Sequence, residues 1–248
     1  MTPLRVEVVD DILLLRLERP ERRNALDFDT LERLRVEVAS VSQRGVRGVI
    51  IAGGQDYFSA GADLTLITGT SADEDFDDAL ERVIEAIDDC PVPVLAAIRG
   101  YCIGAAVDLV AACDLRVADA NARFRVPAVH LGLLYNPSAI ARLAAQLRTD
   151  LVHRLFVLAQ VIDAETARET GLVSVGVGSA DPVDWCRRQL ADIVDADARA
   201  ITETRRLVRQ LASGQPLDHT QWNLTRRELL DSLARHQRVR DARKGRQP

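Results

Sequence analysis

The stretch GYCIGAAVDLVAACD, residues 100–114, reads as a strand end, a tight turn of small residues and the start of a helix. Its turn, Gly104-Ala105-Ala106, carries almost no side chain, so the backbone N–H groups at the helix start are open to whatever lies above them. Such groups, with the helix dipole behind them, favour developing negative charge. Asp108 follows about one helical turn later.

Upstream, Phe58-Ser59-Ala60-Gly61-Ala62-Asp63-Leu64 has the same character, following the apolar run Val49 to Ala52 and the glycine pair Gly53 and Gly54. Glycine and alanine at such places usually mark close backbone approach. Two small-residue turns that each offer one N–H can together form an oxyanion hole.

The pattern around these turns is that of an α/β protein. Ile12 to Leu17, Val46 to Ala52 and Val94 to Ile98 read as apolar strands. Leu31, Leu34, Val38 and Val41 form a helical stripe, with Asp29 and Glu32 placed as a capping box. Phe76, Leu80, Val83, Ile84 and Ile87 form a second stripe. Repeated strand-then-helix units argue for an α/β core. From Pro137 the chain becomes helical, with Asn136-Pro137 as a start signal, a stripe from Ile140 to Leu147 and a further run from Leu151 to Leu158. Asp163 to Thr170, closed by Gly171, reads as a short capped helix. The expected organisation is an α/β core over residues 1–185 and a C-terminal helical oligomerisation region over 186–248.

Composition sets outer limits. A chain of 248 residues with 47% hydrophobic content can bury a sizeable core. A formal charge of −5 argues against nucleic acid as a main partner. Of 32 basic residues only Lys244 is a lysine, so a ligand phosphate would meet a guanidinium. Cys90, Cys102, Cys113 and Cys186 lack the short paired spacing of metal or redox sites, and no His/Cys/carboxylate cluster suits a metal. No signal-like segment or apolar run of about 18 residues appears. A cytoplasmic protein with no membrane partner is expected.

Together the two turns resemble those of the crotonase (enoyl-CoA hydratase/isomerase) superfamily. RPERRNALD at 19–27, VPVLAAIRGYCIGAA at 92–106, CDLRVADANARF at 113–124 and LTRRELLDS at 224–232 agree with that resemblance. It implies a spiral of ββα units whose C-terminal helices build a homotrimer or homohexamer. It also implies an acyl-CoA thioester as substrate, with coenzyme A part of that substrate and no separate cofactor. By motif, the oxyanion-hole donors fall at Ala62 and Ala105. CoA contacts fall at Arg23, Ala25 and Leu26, and at the Ala60, Gly61, Asp63 and Leu64 turn. Asp63 reads equally as a local turn or capping residue.

The acid–base inventory departs from the hydratase pattern, in which two glutamates serve. The first falls at Asp108 and the second at Ala128. Adding water needs one group to activate water and another to protonate carbon, and a methyl side chain does neither. Dienoyl-CoA isomerases resemble this chain in an aspartate at the position of Asp108, but their other two acids fall at Ala128 and Asn136. Tyr135-Asn136 resembles methylmalonyl-CoA decarboxylases, in which the tyrosine faces the carboxylate or enolate. Tyr135 reads alternatively as an aromatic wall, Asn136 as a helix cap, and His130 as a further base. The expected function is enolate chemistry on an acyl-CoA, with decarboxylation of a malonyl-type CoA placed first. A hydratase, a double-bond isomerase or a non-catalytic acyl-CoA binder are the alternatives.

Overall fold

A computed structural model describes residues 2–244. The chain opens with an antiparallel hairpin of β1 (Leu4–Val9) and β2 (Ile12–Leu17), turning at Asp10 and Asp11. Helices α1 (Phe28–Ala39) and α2 (Val41–Arg44) follow. Three ββα units then repeat. They are β3 (Gly48–Ala52), β4 (Tyr57–Ser59) and α3 (Glu74–Asp88); β5 (Val94–Ile98), β6 (Tyr101–Ile103) and α4 (Ala105–Ala111); and β7 (Leu115–Ala118), β8 (Arg123–Arg125) and α5 (Pro137–Gln146). Then come α6 (Thr149–Val152), β9 (Ile162–Asp163), α7 (Ala164–Glu169), β10 (Val175–Gly176) and α8 (Pro182–Ala191).

Each unit gives its first strand to one sheet and its second to another. The larger sheet has the order β1-β2-β3-β5-β7-β10 and the smaller β4-β6-β8-β9. Strands β2, β3, β5, β7 and β10 run parallel. This is the expected spiral of ββα units.

Parallel strands covered on both faces read as continuous apolar runs, and every residue of β3 and β5 is buried. Alternation along the strands divides their side chains between two cores. Val49, Ile51, Val94, Ala96 and Ile98 face α1 and α3 through Leu31, Leu34, Val83 and Ile84. Ile50, Ala52, Leu95 and Ala97 face α8 through Val183, Cys186 and Leu190. This second core corrects the expected boundary after residue 185, which would cut α8 in two. The first compact unit runs to Val194, and a second begins at Asp195.

The second unit comprises α9 (Ala198–Ala212), α10 (His219–Leu230) and α11 (Leu233–Lys244). Within it Trp222 Nε1 donates to Gln210 Oε1 at 2.9 Å, and Arg206 lies over the Trp222 ring. The last residues of the basic tail, 245–248, lie outside the described residues.

Two local expectations change. Helix α1 starts one residue after Asp27, and Asp27 Oδ1 accepts from Thr30 N at 2.8 Å, so Asp27 is the cap. Asp29 and Glu32 instead pair with Arg33 and Arg35 on the exposed face. The run from Leu151 widens into a π turn at His153–Val157. By contrast, Asn136 caps α5 as read, its Oδ1 accepting from Ser138 N at 2.9 Å.

Candidate active site

The first turn is fixed by a network that begins at Arg19. Its guanidinium donates to Ala25 O at 2.7 Å and to Asp63 Oδ2 at 3.0 Å, and it pairs with Asp27. Asn24 is buried; its Oδ1 accepts from Arg19 N and its Nδ2 donates to Tyr57 O. Arg23 and Asn24 both adopt positive φ. Arg23 N–H bonds within its own turn, while its carbonyl accepts from Ala60 N at 3.0 Å, tying the 19–27 loop to the end of β4. Sequence reading picked out the loop but not Arg19 and Asn24 as its organisers.

Leu26 and Ala62 form a parallel bridge that uses Gly61 O and Asp63 N. In such a bridge the N–H of the paired residue points the other way. The N–H of Ala62 therefore faces away from Leu26. Ala105 is the first residue of α4, where an N–H has no partner in its own helix. Among the described residues neither N–H donates to a protein acceptor.

The two turns touch. Gly61 has φ +85°, and a Cβ there would lie 2.4 Å from Ile103 O and 3.3 Å from Ala105 N. Only glycine lets the chain of the first turn pass this close to the second. Gly104, with φ +56° and ψ −122°, starts α4 from a conformation that L side chains rarely adopt. The turn that carries the unbonded N–H of Ala62 is thus brought against the one that carries the unbonded N–H of Ala105.

Helix α4 is buried along its whole length, and Asp108 is its only charged residue. It lies three residues after Ala105, on the same helical face. Burial pushes its carboxyl up to about 6, against the opposing pull of Arg142. Arg142 Nε donates to Asp108 Oδ1 at 3.0 Å, and its Nη2 donates to Glu81 Oε2 at 2.8 Å. Sequence reading missed both partners. Arg142 lies within the stripe of α5, and no periodicity separates an arginine turned towards the core from one on the solvent edge.

Tyr135 is half-buried, with its ring 5.3 Å from that of Phe156. Burial first, and then the nearby Asp108 carboxylate, push its phenol well above the usual tyrosine range, so it stays protonated. Ala128 is buried and offers a methyl group. His130, on the turn after it, is exposed, and among the described residues no side-chain hydrogen bond joins it to Asp108 or Tyr135. Burial raises the Cys102 thiol, which leaves it a packing residue.

The expected CoA-contact residues divide in two. Arg23 is exposed and Leu64 is 63% exposed, while Ala60 is half-buried; all three offer surface. The Arg23 guanidinium lies 5.4 Å from the Tyr57 ring centroid, and Tyr57 stacks on Tyr101. Leu26 is fully buried and its N–H is bonded to Gly61 O, so it shapes the turn and has no surface of its own. Ala25 is likewise buried, its N–H bonded to Arg22 O and its carbonyl to Arg19. Asp63 is buried and holds Thr65 as well as Arg19; the Thr65 hydroxyl is the main cause of its lowered pKa. Of the two readings of Asp63, the geometry supports the local turn.

Comparison with known proteins agrees with the geometry. The profile of the enoyl-CoA hydratase/isomerase family matches residues 7–247. A Mycobacterium tuberculosis protein described as "Probable enoyl-CoA hydratase echA6" is 32% identical over 79% of this chain and 78% of its own length. The mitochondrial Delta(3,5)-Delta(2,4)-dienoyl-CoA isomerase of Mus musculus is 32% identical over 66% of this chain and 54% of its own. The crystal structure of an enoyl-CoA hydratase from Mycobacterium smegmatis shares the fold with a TM-score of 0.89, covering 100% of this chain and 98% of that one at 24% identity. The paired small-residue turns, the ββα spiral and these matches together make the chain a member of the enoyl-CoA hydratase/isomerase, or crotonase, family and an enzyme of it.

Proposed function

We propose that the protein moves a double bond in an acyl-CoA thioester by a one-base proton shift, with Asp108 as the base. The observation that carries this reading is a single buried carboxylate one helical turn beyond a free N–H pair, with no second acid at Ala128. The thioester oxygen lies against the N–H groups of Ala62 and Ala105. Asp108 takes a proton from C2 of a 3-enoyl thioester, and the C–H electron pair delocalises onto that oxygen as a dienolate. The proton then returns at C4, the carbonyl re-forms, and the double bond rests between C2 and C3. No further group is consumed, and no cofactor beyond the CoA of the substrate takes part. A base whose pKa sits at about 6 is well matched to work near neutral pH. Arg23, Ala60 and Leu64 are the surface assigned to CoA.

Decarboxylation of a malonyl-type CoA is the second reading, and the protonated Tyr135 phenol favours it as a proton donor to the enolate. Charge disfavours it. The leaving carboxylate would sit beside Asp108, and the cation bonded there, Arg142, already serves Asp108 and Glu81.

A short 3-enoyl-CoA offered in D2O tests both. Isomerisation with deuterium entering the product is expected, and Asp108→Asn should lower kcat by about 10²- to 10⁴-fold with CoA-ester affinity retained. Wild-type turnover in Asp108→Asn would remove the proposal. Release of CO2 from methylmalonyl-CoA, lost in Tyr135→Phe, would establish the second reading in its place.

A further inference from the structure

One guanidinium joins the helices of all three ββα units. Arg142 belongs to α5, Asp108 to α4 and Glu81 to α3, and the side-chain exposures along the chain fall from 31% at Glu81 to 17% at Arg142 and 2% at Asp108. The guanidinium is a rigid planar fork, so anchoring one of its nitrogens fixes the direction of the others. Glu81 holds Nη2, and Nε is thereby aimed at Asp108 Oδ1. Among the described residues no other donor reaches the carboxylate, which leaves Oδ2 without a protein partner.

We propose that Arg142, backed by Glu81, is the positioning residue of Asp108: it holds Oδ1, stops the carboxylate rotating and presents Oδ2 as the oxygen that meets the substrate. The clamp gives a use to aspartate where the hydratase pattern has glutamate. A side chain one methylene shorter reaches less far, and fixing its rotamer recovers alignment that a free aspartate lacks. The clamp also sets the charge state. Arg142 favours the ionised form of Asp108, while Glu81 and Asp77 on α3 oppose it; Tyr135, the other titratable group beside Asp108, is neutral.

The inference rests on Asp108 as the base, so its test includes a readout that needs no turnover. The carboxyl titration of Asp108 is followed by NMR in the free protein carrying ¹³C-labelled aspartate, beside kcat as a function of pH. Arg142→Met keeps the aliphatic packing and removes the charge, and should raise the Asp108 titration by about one unit or more. Arg142→Lys keeps a charge but cannot span two carboxylates, and should leave the titration near wild type while kcat falls about tenfold or more. Glu81→Gln, at a partly exposed position, removes an opposing charge and should move the titration down.

Arg142→Met and Arg142→Lys that both match wild type in titration and kcat would overturn the proposal. If Arg142→Met does not fold, an unmoved titration in Glu81→Gln together with wild-type kcat in Arg142→Lys overturns it equally. Wild-type turnover in Asp108→Asn would instead remove the catalytic reading, and the shifts in titration would still decide whether the clamp exists.

Discussion

In the proposed reaction Asp108 and Ala128 divide the chemistry between them. An ionisable group inside a helix that is otherwise apolar on every side is expensive unless paired, and breaking such a pair typically costs about 3–5 kcal/mol. Its presence therefore calls for a purpose other than stability, and its raised pKa provides one. On the same reading, the buried methyl of Ala128 stands where a hydratase's second acid would fall. Crotonyl-CoA hydration should be slower than in two-acid hydratases by about 10²- to 10⁴-fold, the worth of one general catalyst. Ala128→Glu should raise hydration about tenfold or more, and a stopped assay of 3-hydroxyacyl-CoA formation reads it. Hydration by the wild type at ordinary hydratase rates would show that another residue activates water. The proton shift carries a pH signature as well. Asp108 must be ionised to accept a proton, so kcat/KM should rise through pH of about 6 and level off above it.

At the scale of elements, the site depends on two turns approaching within van der Waals contact. Gly61→Ala places a Cβ against Ile103 O and Ala105 N at an unfavourable φ, so it must push the turns apart. Gly104→Ala meets open space and carries only the strain of its φ, on the order of 1–3 kcal/mol. Gly61→Ala should therefore lose kcat by about 10²-fold or more, as when an oxyanion donor is removed. Gly104→Ala should act mainly on thermal stability. Equal kcat losses in the two variants would mean that contact between the turns is not what aligns the donors.

This contrast also shows what was legible beforehand. Both turns could be found in the sequence because small residues beside apolar runs are a local signal, and β2, β3 and β5 because their apolar runs are long enough to read. Strands β4 and β6, three residues each, are too short for any period to register. The Arg142–Glu81 clamp joins residues 61 positions apart, and the Arg19–Asp63 pair 44. Such pairings are decided by topology, which no local pattern encodes.

For the whole molecule, two expectations concern bulk behaviour. Helix α9 buries none of its residues, and Val208 and Leu211 are 58% and 52% exposed. Apolar surface of this kind suits coverage by further copies, and sedimentation should find a trimer or hexamer; a monomer at micromolar concentration would count against it. The second expectation follows from Asp108 by linkage. Its carboxyl titrates at about 6 in the folded chain against 3.8 for an unperturbed aspartate, so between these values the folded state binds more protons than the unfolded. Stability from this group is fully present below the unfolded value and is lost as pH rises through the folded one. A shift of about two units corresponds to about 3 kcal/mol. Asp108→Asn keeps an acceptor for Arg142 and removes the titration, while the other ionisable groups are common to both proteins. Denaturant unfolding of the pair from pH 4 to pH 7 should therefore show the wild type losing about 2 kcal/mol relative to the variant, most of the full effect. Parallel profiles would mean that Asp108 titrates as an ordinary surface carboxylate, and a base tuned towards neutral pH would then have no physical support.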